Sequence, residues 1–256
     1  MPPDDRFDPD RIRDSLQTRR IGKKVIAFET VTSTNDVATE YAGDPKNDGL
    51  VILAEEQTSG RGRGGKKWHG DKGQSLLCSI VLVNESVGAE LLSLAVAVAA
   101  AEAIGETARV KWPNDIVLNG KKVAGILLES KQTAHGRTYI LGIGINCHQN
   151  KFPGELNASA TSIDRETGKS CDRTSLVKRL LSSVEYRIQT AQTKPQKLVN
   201  EWKQLSILLG QRVTVIYDGR GFTGHCVGVD PDAGLVLQLD SGTVRFFPAS
   251  QTTIGK

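Results

Sequence analysis

A glycine-rich, positively charged stretch is the part of the sequence with the most evident chemistry. Residues 58–73 hold six glycines and five lysines or arginines around a single tryptophan, Trp68. Glycines let backbone N–H groups approach an anion closely, and neighbouring cations supply charge-assisted hydrogen bonds to phosphate or carboxylate. A mobile basic surface loop is the simpler interpretation, but a large aromatic side chain in such a loop needs something to cover it. The stretch therefore predicts a binding loop for a phosphate-bearing anion.

Two nucleotide-binding motifs match these residues only in part. Gly60, Gly62 and Gly65 satisfy the pattern GxGxxG, and the run from Gly60 to Lys66 has the spacing of a P-loop. Both motifs must open a helix, whereas the following residues lack apolar helical spacing. Lys67 also stands where a P-loop carries the Ser or Thr that holds Mg²⁺. The sequence favours the anion-binding physics that the motifs share over either motif itself.

Three further motifs follow downstream, KWPND at 111–115, GKKVAGILLE at 120–129 and GIGIN at 142–146. Asp115 follows a proline and an asparagine at the start of a strand, where a carboxylate can hold Mg²⁺ directly or through water. The alternative is an Asx turn that only ends a strand. Lys122, taken alone, is more simply explained as a solvated strand lysine than as a ligand-binding one. The residues by themselves leave these alternatives open.

Composition excludes several classes of protein. The formal charge of +4 at pH 7 is too mild to mark a dedicated nucleic-acid binder. The cysteines form no CxxC pair and the histidines no HxxxH spacing, so neither a metal cluster nor a disulfide framework is predicted. These residues are Cys78, Cys147, Cys171, Cys226, His69, His135, His148 and His225. No apolar run reaches the ~20 residues that span a bilayer, and no signal peptide is evident, which favours a cytoplasmic protein without membrane association.

The elements that must position these motifs form an α+β pattern. Strands are predicted at 24–31, 50–56 and 75–83, helices at 36–42 and 87–104, an antiparallel meander of four strands between 109 and 147, and helical spacing at 172–205. Pro195 can open a second helix within the last stretch. Short β runs separated by turn residues follow from about residue 207, which is the spacing of a small barrel.

This order of elements predicts a division of the chain into three parts. We expect a polar N-terminal segment at 1–22, a larger domain at 23–206 and a small β-barrel domain at 207–256.

The loop GRGRGGKKW, KWPND, KKVAGILLE and GIGIN, together and in this order, resemble the biotin protein ligase family. The resemblance covers residues 25–150 strongly, and the C-terminal β runs are similar by position to the SH3-like barrel of that family. It implies a catalytic domain of the class II aminoacyl-tRNA synthetase and biotin ligase type, in which a mixed or antiparallel sheet packs with helices. It also implies an enzyme that makes biotinyl-5′-adenylate from biotin and ATP with Mg²⁺. Biotin would then pass to a lysine of a biotin carboxyl carrier protein or domain.

The resemblance assigns roles to residues that spacing alone leaves open. It implies Arg63, Lys122 and Asp115 as the catalytic set, with Lys122 at the biotin carboxylate and Asp115 as the Mg²⁺ ligand. The implied biotin-binding residues are Ser33, Thr34, Asn35, Gln57, Arg61, Gly62, Arg63, Lys122 and Gly125. The implied ATP- and adenylate-binding residues are Arg63, Lys66, Trp68, Asn114, Asp115 and Asn146. Ser33 or Thr34 can equally serve as a helix N-cap, and Gly125 can mark a strand bulge.

Two other functions fit part of the pattern. A lipoate or octanoate ligase or transferase shares the catalytic fold, but its substrate has a narrow apolar tail that does not need Gln57 beside Ser33 and Thr34. A non-catalytic nucleotide- or nucleic-acid-binding module would use the basic loop, but the C-terminal β runs lack interleaved basic and aromatic residues.

The resemblance also bears on partners. Because only about 24 residues precede the first strand, we expect no sequence-specific DNA binding. Many members of the family pair through the central sheet, so a homodimer is an open alternative. We expect the loop at 57–73 to close over the adenylate, because its cations gain an anion to bind.

Overall fold

A mixed seven-stranded sheet forms the larger part of the computed structural model, which describes residues 5–255. The strands are β1 (Val25–Val31), β2 (Val51–Gln57), β3 (Ser75–Leu82), β4 (Arg109–Lys111), β5 (Asp115–Leu118), β6 (Lys121–Thr133) and β7 (Gly136–Asn146). Their order across the sheet is β1-β2-β3-β7-β6-β5-β4. β1 and β2 pair in parallel, and the other neighbours are antiparallel. The predicted mixed sheet and its meander are confirmed.

The helices of the described chain cover both faces of this sheet. They are α1 (Pro9–Arg13), α2 (Thr34–Tyr41), α3 (Ala89–Ile104), α4 (Leu156–Ser159), α5 (Ile163–Thr167), α6 (Arg173–Thr193) and α7 (Pro195–Leu205). α3 is apolar around its whole circumference because it lies between the sheet on one side and α6 and α7 on the other. The short helices α4 and α5 were not predicted from the sequence.

Strand β3 is buried on both faces, so apolar and polar residues do not alternate along it. Its residues are all buried. Leu76 and Cys78 belong to the core under α3 and α6, whereas Val81 belongs to a smaller core under α2. A strand covered on both faces appears in the sequence as a continuous apolar run. Ser79 points to the α2 side, because successive side chains alternate between the two faces.

The C-terminal residues form a second, antiparallel sheet. Its strands are β8 (Arg212–Tyr217), β9 (Arg220–Asp230), β10 (Gly234–Leu239), β11 (Val244–Phe247) and β12 (Thr252–Ile254), in the order β11-β10-β9-β8-β12. A single 3₁₀ turn, Ala249–Gln251, joins β11 to β12. The pairings among residues 5–255 do not join β11 to β12, so the predicted barrel is here an open sheet rather than one closed by hydrogen bonds.

The N-terminal segment is part of the core, although its composition indicated only a polar extension. Phe7, Ile12 and Ile21 are at most 8% exposed. Asp5 forms a buried ion pair with Arg173, the first residue of α6. Residues 1–4 of the predicted N-terminal segment and Lys256 of the predicted C-terminal domain lie outside the described residues.

None of the helices within residues 5–255 combines the length and the apolar character that crossing a bilayer requires.

Candidate functional site

The glycine-rich loop folds as a small hairpin between β2 and β3. The backbone N–H of Trp68 donates to the carbonyl of Gly60 at 2.9 Å, and the N–H of Gly62 donates to the carbonyl of Lys66 at 2.7 Å. Gly64 at the tip has a φ of 63°, in the left-handed region that glycine adopts without strain. Backbone hydrogen bonds therefore define the turn that carries the cations.

An ion pair connects this hairpin to helix α2. The two terminal nitrogens of Arg61 donate to the carboxylate of Asp36 at 2.9 and 2.6 Å, and one of them lies 3.7 Å from Glu129. The hydrogen bonds from Arg61 hold the pKa of the Asp36 carboxyl below its usual range, so the pair is charged at neutral pH. The side chain of Arg61, implied as a biotin-binding residue, thus anchors the loop.

Asp36→Asn is expected to loosen the hairpin and leave the fold intact. The pair is about two-fifths exposed on both sides, which limits its contribution to about 0.2–1 kcal/mol. Because the pKa of Asp36 is lowered, this contribution is present at neutral pH and is lost as the pH falls through the lowered value. Limited trypsin digestion at neutral pH should cut after Arg61 and Arg63 about two- to fivefold faster in the variant. Glu40→Gln, at an exposed position of the same helix, should cut at the wild-type rate, and equal rates for both variants would exclude the anchor.

The indole of Trp68 packs against glycines of β6 and β7. A Cβ atom on Gly144 would come within 2.7 Å of the indole, and one on Gly125 within 3.0 Å. The ammonium of Lys122 lies 5.9 Å from the indole centroid. The indole Nε1 is buried and has no hydrogen-bond partner. We call the place where Trp68 packs on Gly125 and Gly144 the glycine slot; the Lys122 ammonium lies at one end of it.

A connected cluster of polar side chains from α2, β2, β3 and β6 lies near the α2 face of the sheet. Gln57 Oε1 accepts the backbone N–H of Thr34 at 2.7 Å and its hydroxyl at 3.0 Å. The Ser79 hydroxyl lies 2.7 Å from Thr34 Oγ1 and 2.6 Å from Asn35 Oδ1. Asn35 Nδ2 in turn donates to Glu129 at 2.6 Å. This Thr34 cluster offers fixed, partly buried donors and acceptors.

The structure adds two residues to the Thr34 cluster and gives another a simpler role. Ser79 and Glu129 were not predicted, because Ser79 lies inside an apolar strand and Glu129 only ends the motif KKVAGILLE. Ser33 is the N-cap of α2, and its hydroxyl accepts the N–H of Asn35 at 3.3 Å. For Ser33, the helix-cap alternative describes the contact that is observed.

Lys122 and Asp115 form an ion pair beside the glycine slot. Lys122 Nζ lies 2.5 Å from Asp115 Oδ1, and the two side chains are 37% and 26% exposed. In the pairing of β5 with β6 the register shifts so that Val123 has no partner, which is a bulge. A bulge re-aims the neighbouring side chains. Lys122 consequently reaches over Gly125, whose added Cβ would lie 3.2 Å from Nζ.

Arg63, at the tip of the hairpin, turns toward the C-terminal sheet. Its Nη2 donates to the carbonyl oxygens of Ala249 and, at 3.1 Å, Thr252. Burial lowers the pKa of the Arg63 guanidinium, and the charges of Asp115 and Glu90 oppose this shift. Arg63 and Lys122 therefore both interact with the charge of Asp115, although they come from segments almost 60 residues apart in the sequence.

The remaining residues implied for nucleotide binding fall into two groups. Asn114 Nδ2 donates to the carbonyl of Ile126 at 3.0 Å, and Asn146 Nδ2 donates to the carbonyl of Thr161 at 2.9 Å. These two amides connect backbone segments, and Asn146 is only 4% exposed. Lys66, by contrast, is exposed on the hairpin.

A cleft of about 900 Å³ lies between the hairpin and the segment at 149–153. Cationic side chains line it, namely Arg61, Lys66, Lys67 and Lys151, together with the aromatic Trp68 and Phe152. Such a lining attracts a polyanion and offers apolar surface to a flat ring.

The donor set around Asp115 suits a metal that arrives with a substrate. Among residues 5–255 no group of three or more His, Cys, Asp or Glu side chains is arranged to hold an ion. Mg²⁺ is commonly held through one or two carboxylates and the phosphates of the nucleotide. One carboxylate flanked by cations fits that mode and does not fit an all-protein cage.

Both sheet-forming parts of the chain match known protein families. Residues 27–146 match the Biotin/lipoate A/B protein ligase family, and residues 208–250 match the Biotin protein ligase C terminal domain. The chain is 33% identical over 250 residues to the Bifunctional ligase/repressor BirA of Bacillus subtilis, which covers 93% of this chain and 76% of the relative. It is 31% identical to the Biotin--[acetyl-CoA-carboxylase] ligase of Paracoccus denitrificans, covering 87% of this chain and 97% of the relative.

A solved structure shares both the sheet and its C-terminal extension. The biotin protein ligase from Aquifex aeolicus in complex with biotin and ATP superposes with a TM-score of 0.80 at 27% identity, over 91% of this chain and 99% of that one. The larger sheet and its site define a ligase of the biotin and lipoate class. The chain belongs to the biotin protein ligase family.

Proposed function

We propose that this protein joins biotin to ATP, giving biotinyl-5′-adenylate and pyrophosphate, and then transfers biotin to a lysine of a biotin carboxyl carrier domain in the cytoplasm. One observation carries the proposal. Arg63 and Lys122, from distant segments, share the charge of Asp115 beside a slot floored by glycines. Two cations near one carboxylate are the kind of charge arrangement that a reaction between two anions requires.

Adenylation brings a biotin carboxylate oxygen up to the α-phosphorus of ATP. The new oxygen–phosphorus bond forms while the bond to the leaving pyrophosphate breaks, and negative charge concentrates around the phosphorus. Lys122 would leave Asp115 to bind the biotin carboxylate, and Arg63 would leave its two carbonyl acceptors to bind phosphate oxygens. Both side chains are partly exposed, so they can turn to a ligand without unfolding their strands. Their charges offset the repulsion between the substrates.

The Thr34 cluster and the glycine slot suit the two ends of biotin. The ureido ring has one carbonyl and two N–H groups, which need fixed donors and acceptors such as Gln57, Thr34 and Ser79. The apolar body would lie on Gly125 and Gly144. Because the Trp68 indole already touches these glycines, it has to lift from the sheet so that biotin can lie beneath it.

Gly144→Ala is expected to weaken biotin binding through this slot. A Cβ atom there would lie 2.7 Å from the indole, so either the ring or the ligand must shift. One methyl group in a ligand pocket changes affinity by about 10- to 200-fold, and we expect a rise in the Kd for biotin within that range. Isothermal titration with biotin gives the value. In the control Gly43→Ala the new Cβ would have no atom within 4 Å, so this variant should bind biotin as the wild type does. Equal affinities for the two variants would show that biotin does not bind in the slot.

Asp115 would hold the Mg²⁺ that ATP carries. When bound, this ion would neutralise part of the phosphate charge. Lys66 extends the positive field of the hairpin toward the cleft at 149–153. In the second step the neutral amine of a carrier lysine attacks the carbonyl carbon of the mixed anhydride. An amide bond forms as the bond between the carbonyl carbon and the AMP oxygen breaks, the amine loses one proton to solvent, and AMP leaves. The hairpin has only to shield the adenylate from water until then.

Incubation with biotin, Mg-ATP and a biotin-acceptor domain tests the proposal. Mass spectrometry should show one biotinyl group on the acceptor, and none on an acceptor variant without the target lysine. A parallel reaction with lipoate tests the second candidate function, a lipoate ligase. The Thr34 cluster favours biotin over lipoate, because a lipoyl tail has no ureido ring to form hydrogen bonds with the cluster. Transfer of lipoate but not of biotin would overturn the proposal.

A further inference from the structure

A turn of the C-terminal sheet is held between two charged side chains of the larger sheet's domain. Glu90, in the first turn of α3, accepts the backbone N–H of Ala249 at 2.9 Å and also receives the N–H of Ser250. From the other side, Arg63 Nη2 donates to the carbonyl oxygens of Ala249 and Thr252. Ala249 is thus bound at both its N–H and its carbonyl. The turn is a physical link between Glu90 and Arg63.

The link satisfies groups that would otherwise be costly to bury. Burial raises the pKa of the Glu90 carboxyl, and the two N–H donors of the turn oppose that shift. A half-buried carboxylate loses much of its hydration and needs such donors. The carbonyl oxygens of the turn are in turn the acceptors of a half-buried guanidinium. Ala249 is only 9% exposed and Thr252 is fully buried, so water is poorly placed to replace either partner.

We infer that Glu90 is a positioning residue for Arg63 and acts through the Ala249–Gln251 turn. This inference rests on the proposed function, in which Arg63 binds the phosphates of ATP. Carbonyl oxygens are neutral acceptors and bind a guanidinium more weakly than a phosphate does. Arg63 can therefore pass from the turn to ATP, while Glu90 keeps the turn in place. The guanidinium then starts from a fixed position within the field of Asp115 instead of sampling solvent.

Glu90→Ala should raise the KM for ATP and leave the KM for biotin unchanged. Because hydrogen bonds to a charged group are lost, we expect the KM for ATP to rise about tenfold and the KM for biotin to stay constant. Glu90→Gln keeps an oxygen that accepts an N–H and should restore most of the wild-type value. In an Arg63→Gly background, Glu90→Ala should have no further effect, because both changes act on one interaction.

The rate of trypsin cleavage after Arg63 in the ligand-free protein shows whether Arg63 is held in place, without any catalytic assay. Peptide mapping should show faster cleavage after Arg63 in Glu90→Ala than in the wild type, whereas Glu106→Ala, at an exposed position, should match the wild type. The inference would be overturned if Glu90→Ala were cleaved after Arg63 at the wild-type rate. It would also be overturned if Glu90→Ala raised the KM for ATP equally in the wild-type and the Arg63→Gly backgrounds. Failure of the wild type to form biotinyl-adenylate would instead overturn the proposed function, and the cleavage rates would still decide the positioning role.

Discussion

Lys122→Ala is expected to lower the rate of biotinyl-adenylate formation by about 10²–10³-fold, the usual effect of removing one charge-stabilising group from a reaction centre. The variant loses the cation assigned to the biotin carboxylate. Without that cation, the repulsion between the biotin carboxylate and the α-phosphate is less well offset. Rapid-quench measurement of adenylate, with biotin and Mg-ATP at saturation, gives the rate directly.

The fold should not suffer from this substitution, because a partly exposed ion pair contributes only about 0–1 kcal/mol to stability. Lys121→Ala is the matched control, since Lys121 precedes Lys122 on β6 and is not the partner of Asp115. It should form adenylate at the wild-type rate. Lys122→Arg, which keeps the charge but changes its geometry, should fall between the two. If purified Lys122→Ala biotinylates an acceptor as fast as the wild type, the assignment of Lys122 is wrong.

The sequence predicted the sheet well because its signals are local. The apolar run of β3 and Pro195 at the start of α7 each act over a few residues. The glycine-rich loop was likewise predicted to be a binding loop from composition alone, and its binding role stays a prediction. The ion pair of Lys122 with Asp115 could not be derived in this way, since the bulge that re-aims Lys122 leaves no mark on a strand's alternation.

The contacts that the sequence did not predict join residues far apart along the chain. Arg63 and Ala249 are 186 positions apart, and Arg173 and Asp5 are 168 apart. Periodicity and turn signals carry no information at that range. Ser79 was missed for a different reason, because a serine in an apolar strand is indistinguishable from a packing residue until its partner Thr34 is placed beside it. Polar composition also hid the N-terminal segment, in which Phe7, Ile12 and Ile21 are buried.

A buried network explains how that segment stays docked against the site. Arg173, fully buried, donates to the carboxylate of Asp5 at 2.7 Å, to that of Glu55 at 2.9 Å and to the carbonyl of Ser75 at 3.0 Å. Glu55 also accepts the backbone N–H of Phe7 at 2.8 Å. Glu55 and Ser75 flank the glycine-rich hairpin on β2 and β3. One guanidinium therefore joins the N-terminal segment to both strands that carry the loop.

Arg173→Met is expected to destabilise the protein by about 3–5 kcal/mol, because it leaves two buried carboxylates without their cation. For a chain of this size such a loss lowers the melting temperature by about 10 °C. Differential scanning calorimetry measures it. The cause is an uncompensated charge and not lost volume, since methionine fills similar space. Adding Asp5→Asn to the Arg173→Met variant should therefore recover part of the loss, which would not happen if packing alone were at fault.

Arg212→Met removes the cation of another Arg–Asp pair and is the control for burial. Its partner Asp240 lies 2.5 Å away, but the two side chains are 58% and 49% exposed. Water can hydrate the remaining carboxylate, so the melting temperature should not change measurably. A fall as large as that of Arg173→Met would mean that arginine content, and not the buried network, sets the stability. An unchanged melting temperature in Arg173→Met would show that the N-terminal segment docks without help from this charge. Another interaction would then have to hold the segment against β2 and β3.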